Sequence, residues 1–178
     1  MKNKRLMGII GLIAAAVIGT AIYSATAGKD NKAATSNEKA KVGVLQLVSH
    51  PSLDLIYKGI QDGLAEEGYD KDKVDIDFLN AEGDQNKVAT MSKQLAEKDN
   101  QVSIGIATPS AQGLASATKD KPIVMGAVTD PVGANLVKDL KKPGGNITGV
   151  SDHNPTEQQL KLIKELTPNV KTIGVLYS

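Results

Sequence analysis

Three short stretches of the sequence gather hydroxyls, carboxylates and a histidine beside a proline. They are Ser49-His50-Pro51-Ser52-Leu53-Asp54, Ala107-Thr108-Pro109-Ser110-Ala111-Gln112 and Val128-Thr129-Asp130-Pro131-Val132. Hydroxyl residues opening a helix sit among unpaired backbone N–H groups, a setting that suits a carboxylate or another small anion. Asp54 and Asp130 suit a ligand cation such as an ammonium. The same residues have plainer uses. Ser49, Ser52 and Thr108 are good helix caps, and Asp130-Pro131 is ordinary turn chemistry. His50 before Pro51 reads as a turn residue rather than a metal ligand, since no second histidine lies close enough in sequence to pair with it. Placement carries more weight than any one residue, because each stretch directly follows a short apolar run.

Those runs are the elements that must position the chemistry. Val42 to Val48 is apolar except for Gly43 and Gln46, as a strand covered on both faces should be. Leu53, Ile56, Tyr57, Ile60 and Leu64 then step by three and four, predicting a helix to Glu67 that Gly68 stops. Val74 to Leu79 alternates as a strand. Gln85 to Lys98 has a helical inner face of Val88, Met91 and Leu95, with Asp84 as its cap. Val102 to Ile106 is a third strand, and Thr108-Pro109-Ser110 opens the next helix, with Thr108 as cap and proline in the first turn. Ile123 to Met125 and Ile147 to Val150 are strands four and five. A helix over Pro155 to Leu166 and a strand over Thr172 to Tyr177 close the pattern. Strands separated by helices predict an α/β, doubly wound parallel sheet. With a strand order of 2-1-3-4-5, ligands bind beyond the carboxyl ends of strands one and three, where the three polar stretches fall.

Composition narrows the functional classes. The chain has 178 residues, 40% of them hydrophobic and 23% charged, enough for a folded core. It has no cysteine, which excludes disulfides, zinc–thiolate and iron–sulfur sites and a thiol nucleophile. One phenylalanine and four tyrosines leave little for stacking nucleobases. Residues 1–40 hold six Lys/Arg against two Asp/Glu, whereas residues 41–178 hold fifteen against eighteen. The folded part is mildly acidic and a poor match for phosphate backbones, so no nucleic-acid partner is expected. No phosphate loop, dinucleotide fingerprint, nucleophile elbow or H-E-x-x-H pair occurs, and no cofactor, metal or catalytic residue is expected.

The positive end is a leader. Lys2, Lys4 and Arg5 precede an uncharged apolar run from Leu6 to Tyr23, and Ser24-Ala25-Thr26-Ala27 supplies small residues. Residues 1–27 read as an export signal or, given eighteen apolar positions, as a membrane anchor with the rest of the chain outside. Residues 28–40 form a polar tether without apolar period.

Val42-Gly43-Val44-Leu45-Gln46-Leu47-Val48-Ser49-His50-Pro51-Ser52-Leu53-Asp54, followed by Gly59-Ile60-Gln61-Asp62-Gly63-Leu64, closely resembles the substrate-binding proteins of a family of bacterial ABC importers. Gly105 to Gln112, Gly126 to Val137 and Pro143 to Asp152 resemble the same family. The branch it is most similar to is the tryptophan or aromatic amino-acid type of streptococci and related Gram-positive bacteria.

The resemblance implies a type I periplasmic-binding-protein fold, in which two α/β lobes joined by hinge strands close on a solute. On matching positions, Ser49, His50, Ser52, Leu53 and Asp54, then Thr108, Pro109 and Ser110, then Thr129, Asp130 and Pro131 become ligand contacts in a first lobe spanning 41–150. Gly149 to Asp152 becomes the first hinge crossing, with Ser151 and Asp152 at the cleft and Asp152 as an ammonium partner. Residues 151–178 would be the hinge and the start of a truncated second lobe, because family members are nearly twice this length. The implied role is capture of an amino acid such as tryptophan on the outer face of the cytoplasmic membrane, with an ABC permease and ATPase as partners. Tyr57 is placed either in the core or near the ligand, and an aromatic ligand would take most of its wall from the second lobe. Two other readings stand beside this one: a ligand-sensing receptor module, and a secreted hydrolase using His50.

Overall fold

The computed structural model describes residues 38–175. The expected leader and nearly all of the tether lie outside the described residues. The elements are β1 (Ala40–Gln46), α1 (Pro51–Glu66), β2 (Val74–Asn80), α2 (Gln85–Glu97), β3 (Val102–Ile106), α3 (Thr108–Ala117), β4 (Ile123–Val128), β5 (Ile147–Ser151) and α4 (Thr156–Leu166). The five strands form one sheet in the order β2-β1-β3-β4-β5, with every neighbouring pair parallel. This is the wound order expected from the sequence, and its reversal point lies between β1 and β3.

The helices divide between the two faces according to strand alternation. Val42 and Val44 point to the face covered by α1, where Leu64 is buried and Leu53, Ile56, Tyr57 and Ile60 pack as the helical spacing predicts. Leu45 points to the other face, under Val88 and Leu95 of α2 and Ala111 and Leu114 of α3. Tyr57 belongs to the core: its ring lies 4.2 Å from Phe78 at 32°, and burial pushes its phenol upward from the ordinary tyrosine value.

Two glycines are required by geometry. A Cβ on Gly105 would stand 2.7 Å from the backbone N and Cα of Ala111, so α3 rests directly on β3. Gly149 has φ 153° and faces the Met125 carbonyl, where a Cβ would intrude to 2.0 Å. Beside it the β4–β5 ladder shifts register, because three steps on β4 from Met125 to Val128 match two on β5 from Gly149 to Ser151. This bulge bends the end of β4, with Ala127 at φ 52°.

Several boundaries differ from the sequence reading. β1 begins at Ala40 and ends at Gln46, two residues before the expected Val48, because its partners stop at Asn80 and Ile106. β4 runs on to Val128, carried by the bulge. The expected strand at Thr172 is a correction: residues 172–175 have no strand pairing, and Tyr177 lies outside the described residues. Sequence pattern supplies the apolar alternation, but a strand also needs a neighbour for its backbone groups, and none lies beside this segment among the described residues.

Candidate functional site

Parallel pairing puts the carboxyl ends of all five strands on one edge. The loops leaving β1, β3, β4 and β5 therefore stand in a row, each about 4.8 Å from the next at its root. The three polar stretches and the Ser151-Asp152 pair share this edge.

Beyond β1 the chain turns into α1 through His50, which is extended at φ −150° and caps the helix with its ring. Ser52 N–H donates to His50 Nδ1 at 3.2 Å, and Asp54 N–H donates to the His50 carbonyl at 2.9 Å. The cap is thus His50 rather than Ser49 or Ser52, and its imidazole is engaged with the backbone rather than with a serine hydroxyl. Pro51 fits the first turn, where no N–H is missed. Leu53 is half-buried and joins the core under α1. Asp54 is exposed, and its two oxygens are held separately. Gln46 Nε2 donates to Oδ1 at 2.7 Å, and Ser49 Oγ lies 3.4 Å from Oδ2.

After β3 the geometry is tighter. Ala107 takes φ 76° and ψ 156°, a conformation that only glycine adopts without strain. Its N–H donates to Gly126 O at 2.9 Å, tying the turn to β4. Thr108 is the first residue of α3 and makes no capping bond, contrary to its expected role, because a cap must precede the helix and Ala107 holds that place. The N-terminus of α3 thus lacks a side-chain partner. Ser110 is fully buried there, with its Oγ unpaired.

The β4 loop is a closed turn. Asp130 Oδ1 accepts from Gly133 N at 2.9 Å and the Asp130 carbonyl accepts from Ala134 N at 2.9 Å, so turn chemistry describes this residue. Pro131 is buried, and its carbonyl accepts from Leu136 N. Gln112 of α3 donates to Ala134 O at 3.1 Å, linking the second and third stretches. Thr129 is exposed, and its carbonyl accepts from Ser151 Oγ at 3.2 Å. Asp152 N–H reaches Val128 O at 3.3 Å, while the Asp152 side chain is exposed.

Thus Ser49, His50, Ser52, Asp54, Thr108, Pro109, Thr129, Asp130, Ser151 and Asp152 lie along one rim, while Leu53, Ser110 and Pro131 are turned partly or wholly into the protein. The sequence reading passed over Gln46, the last residue of β1. It is fully buried, donates to Val48 O at 2.9 Å as well as to Asp54, and leaves Oε1 unpaired. Its signal was present, as a polar residue closing an otherwise apolar strand at the point where strand order reverses. Among the described residues no group of three acidic or histidine side chains is placed to hold a metal ion. None of the described helices is long and apolar enough to cross a membrane.

Comparison with known proteins gives a consistent set. A family model described as ABC transporter substrate binding protein matches residues 41–178. A tyrosine-binding protein of Clostridioides difficile (strain R20291) is 42% identical over all of this chain and 53% of its own length. A solved ABC domain in complex with L-Trp from Streptococcus pneumoniae shares 76% identity at a TM-score of 0.76, over 79% of this chain and 48% of that one. The ligand-free, open structure of a substrate-binding protein with adhesive properties from Clostridium difficile shares 41% identity at a TM-score of 0.68, over 73% of this chain and 44% of that one. The chain spans about half the length of these relatives.

Proposed function

The chain belongs to the ABC transporter substrate-binding protein family, and from that premise we propose that it forms one lobe of a solute receptor that captures an aromatic L-amino acid outside the cytoplasmic membrane. The observation that carries the reading is the row of loop ends at the β1/β3 reversal point, where wound sheets hold their ligands. Residues 41–150 supply the lobe and Gly149 to Asp152 lead out of it as a hinge. The N-terminus of α3, free of a capping side chain, offers N–H groups to the ligand α-carboxylate. Asp54 and Asp152 offer carboxylates to its ammonium, and Ser49, Thr108 and Thr129 add hydroxyls around them. Asp130 shapes the third loop from within its own turn.

An aromatic ligand is supported by the tyrosine-binding and L-Trp-bound relatives. With Tyr57 committed to the core, this lobe has no aromatic side chain on the rim among the described residues, so the wall around the ligand ring comes from a facing lobe. Closure would follow because both lobes hold the same molecule, and the closed form would be the one presented to an ABC permease with its ATPase. No bond is made or broken in this scheme. The engagement of His50 with Ser52 N–H weighs against the hydrolase reading.

Titration calorimetry with L-tryptophan and L-tyrosine, on this lobe joined to its facing lobe, tests the proposal. Saturable binding of at least one is expected, and Asp54→Ala and Asp152→Ala should each weaken it about tenfold or more, roughly 1.4 kcal/mol. Unchanged affinity in both variants removes these carboxylates from the site. No binding of either amino acid sinks the proposal.

A further inference from the structure

We propose that Gln46 is a positioning residue of the cleft, fixing the Asp54 carboxylate and the Val48 carbonyl so that the first loop stands in its ligand-holding shape. The inference rests on the capture reading above and deepens it. Gln46 continues the inward row of Val42 and Val44 on β1, and it pairs in register with Asn80 on one side and Ile106 on the other. Ile106 immediately precedes the strained Ala107 and the start of α3. Gln46 therefore occupies the floor between the two loops that flank the reversal point.

Its hydrogen bonds divide the work. One amide N–H goes to Val48 O at 2.9 Å, bending the chain just after the strand, and the other goes to Asp54 Oδ1 at 2.7 Å, four residues into α1. The two bonds span the loop from both ends. Fold energetics alone do not call for an amide here. Gln46 is fully buried, and its Oε1 lacks a partner, which is unfavourable relative to a group that needs none. A methionine of similar length fills the same space without an orphaned oxygen. What methionine cannot do is hold a carboxylate in one orientation.

An isosteric carboxyl at this position gives a signature that packing alone would not. Placed at hydrogen-bond distance from Asp54, it keeps the contact while it carries its proton and repels the Asp54 carboxylate once it has lost it. Of the other charged groups on the surrounding elements, Lys41 of β1 pairs with Asp99 and Asp77 of β2 with Lys98, while Asp75 of β2 and Glu66 of α1 lie at the ends of their elements remote from Gln46. His50 caps α1, Lys58 pairs with Asp62 along α1, and Glu82, after β2, pairs with Lys87. β3 and α3 carry no charged residue.

The test measures L-tryptophan and L-tyrosine affinity, with melting of the unliganded protein alongside, for the wild type, Gln46→Met and Gln46→Glu across about pH 5 to 8. Gln46→Met should melt no lower than wild type yet bind about tenfold more weakly at every pH. Gln46→Glu should bind nearly as wild type at the acid end and lose affinity about tenfold or more, relative to the wild type at the same pH, towards the alkaline end. A methionine variant that binds like wild type overturns the role of Gln46 alone. So does a methionine variant that loses melting temperature and affinity together, with no pH dependence in the glutamate variant. A wild type that takes up neither amino acid overturns the capture reading and the part of Gln46 in it together.

Discussion

Ala107 shows most directly how a single residue shapes the rim. At φ 76° and ψ 156° its Cβ is held in a region that costs about 1–3 kcal/mol for any residue but glycine. The strain is held in place by the bond to Gly126 O and by α3 starting one residue later. Ala107→Gly should therefore raise the unfolding free energy by about 1 kcal/mol, after allowing for the greater freedom glycine brings to the unfolded chain. Chemical denaturation checks this, and a variant less stable than wild type would show that the conformation is not strained. Legibility at this scale was uneven. Residue types and spacing marked the right loops, but not which side chains would be consumed in building them. Asp130 closes its own turn, His50 rather than a serine caps α1, and Ser110 faces inward. Each of these outcomes depends on the direction a side chain takes once the backbone is set, and residue type alone leaves that direction open. Gln46 was missed for the converse reason: read as a flaw in an apolar strand, it turned out to hold that strand's loop.

At the scale of elements, the period of the apolar residues was a good guide. The α1 stripe, the Asp84 cap and the extent of β3 are as expected, because each is set by local chemistry. Asp84 accepts from Asn86 N and Lys87 N, as a helix cap should. Strand ends were less legible, since they are fixed by partners distant in sequence. β1 stops where β2 and β3 stop, and β4 outlasts its apolar core because the bulge lets it pair again with Ser151. The contact between β3 and α3 depends on Gly105, as no flexible side chain lies in the way and the backbone itself would have to move. Gly105→Ala should cost about 1–3 kcal/mol of stability through this overpacking. It should also weaken amino-acid binding, because α3 would be lifted at the end proposed to meet the ligand. An alanine variant with unchanged melting and binding would mean that the helix is free to shift.

For the whole molecule, α4 contributes nothing fully buried to the core of the wound sheet. α4 has no buried residue, and Leu160, Leu162 and Leu166 are exposed on it. The doubled variant Leu160→Ser with Leu166→Ser should leave the melting of the sheet unit within about 0.5 kcal/mol of wild type, as surface changes usually do. It should also reduce any self-association seen by light scattering. A large loss of stability would show that the helix packs against the sheet. The sequence predicted the helix itself, but not that its leucines would stand exposed, because an apolar stripe indicates that a surface is to be covered without indicating by what. The bulge between β4 and β5 bears on how force travels through the molecule. Below Met125 the two strands are locked step for step, while above it β4 carries one residue of slack and Gly149 faces it with no side chain in the gap. A pull or twist applied beyond Ser151 therefore meets that joint before it reaches the loop roots of β1 and β3.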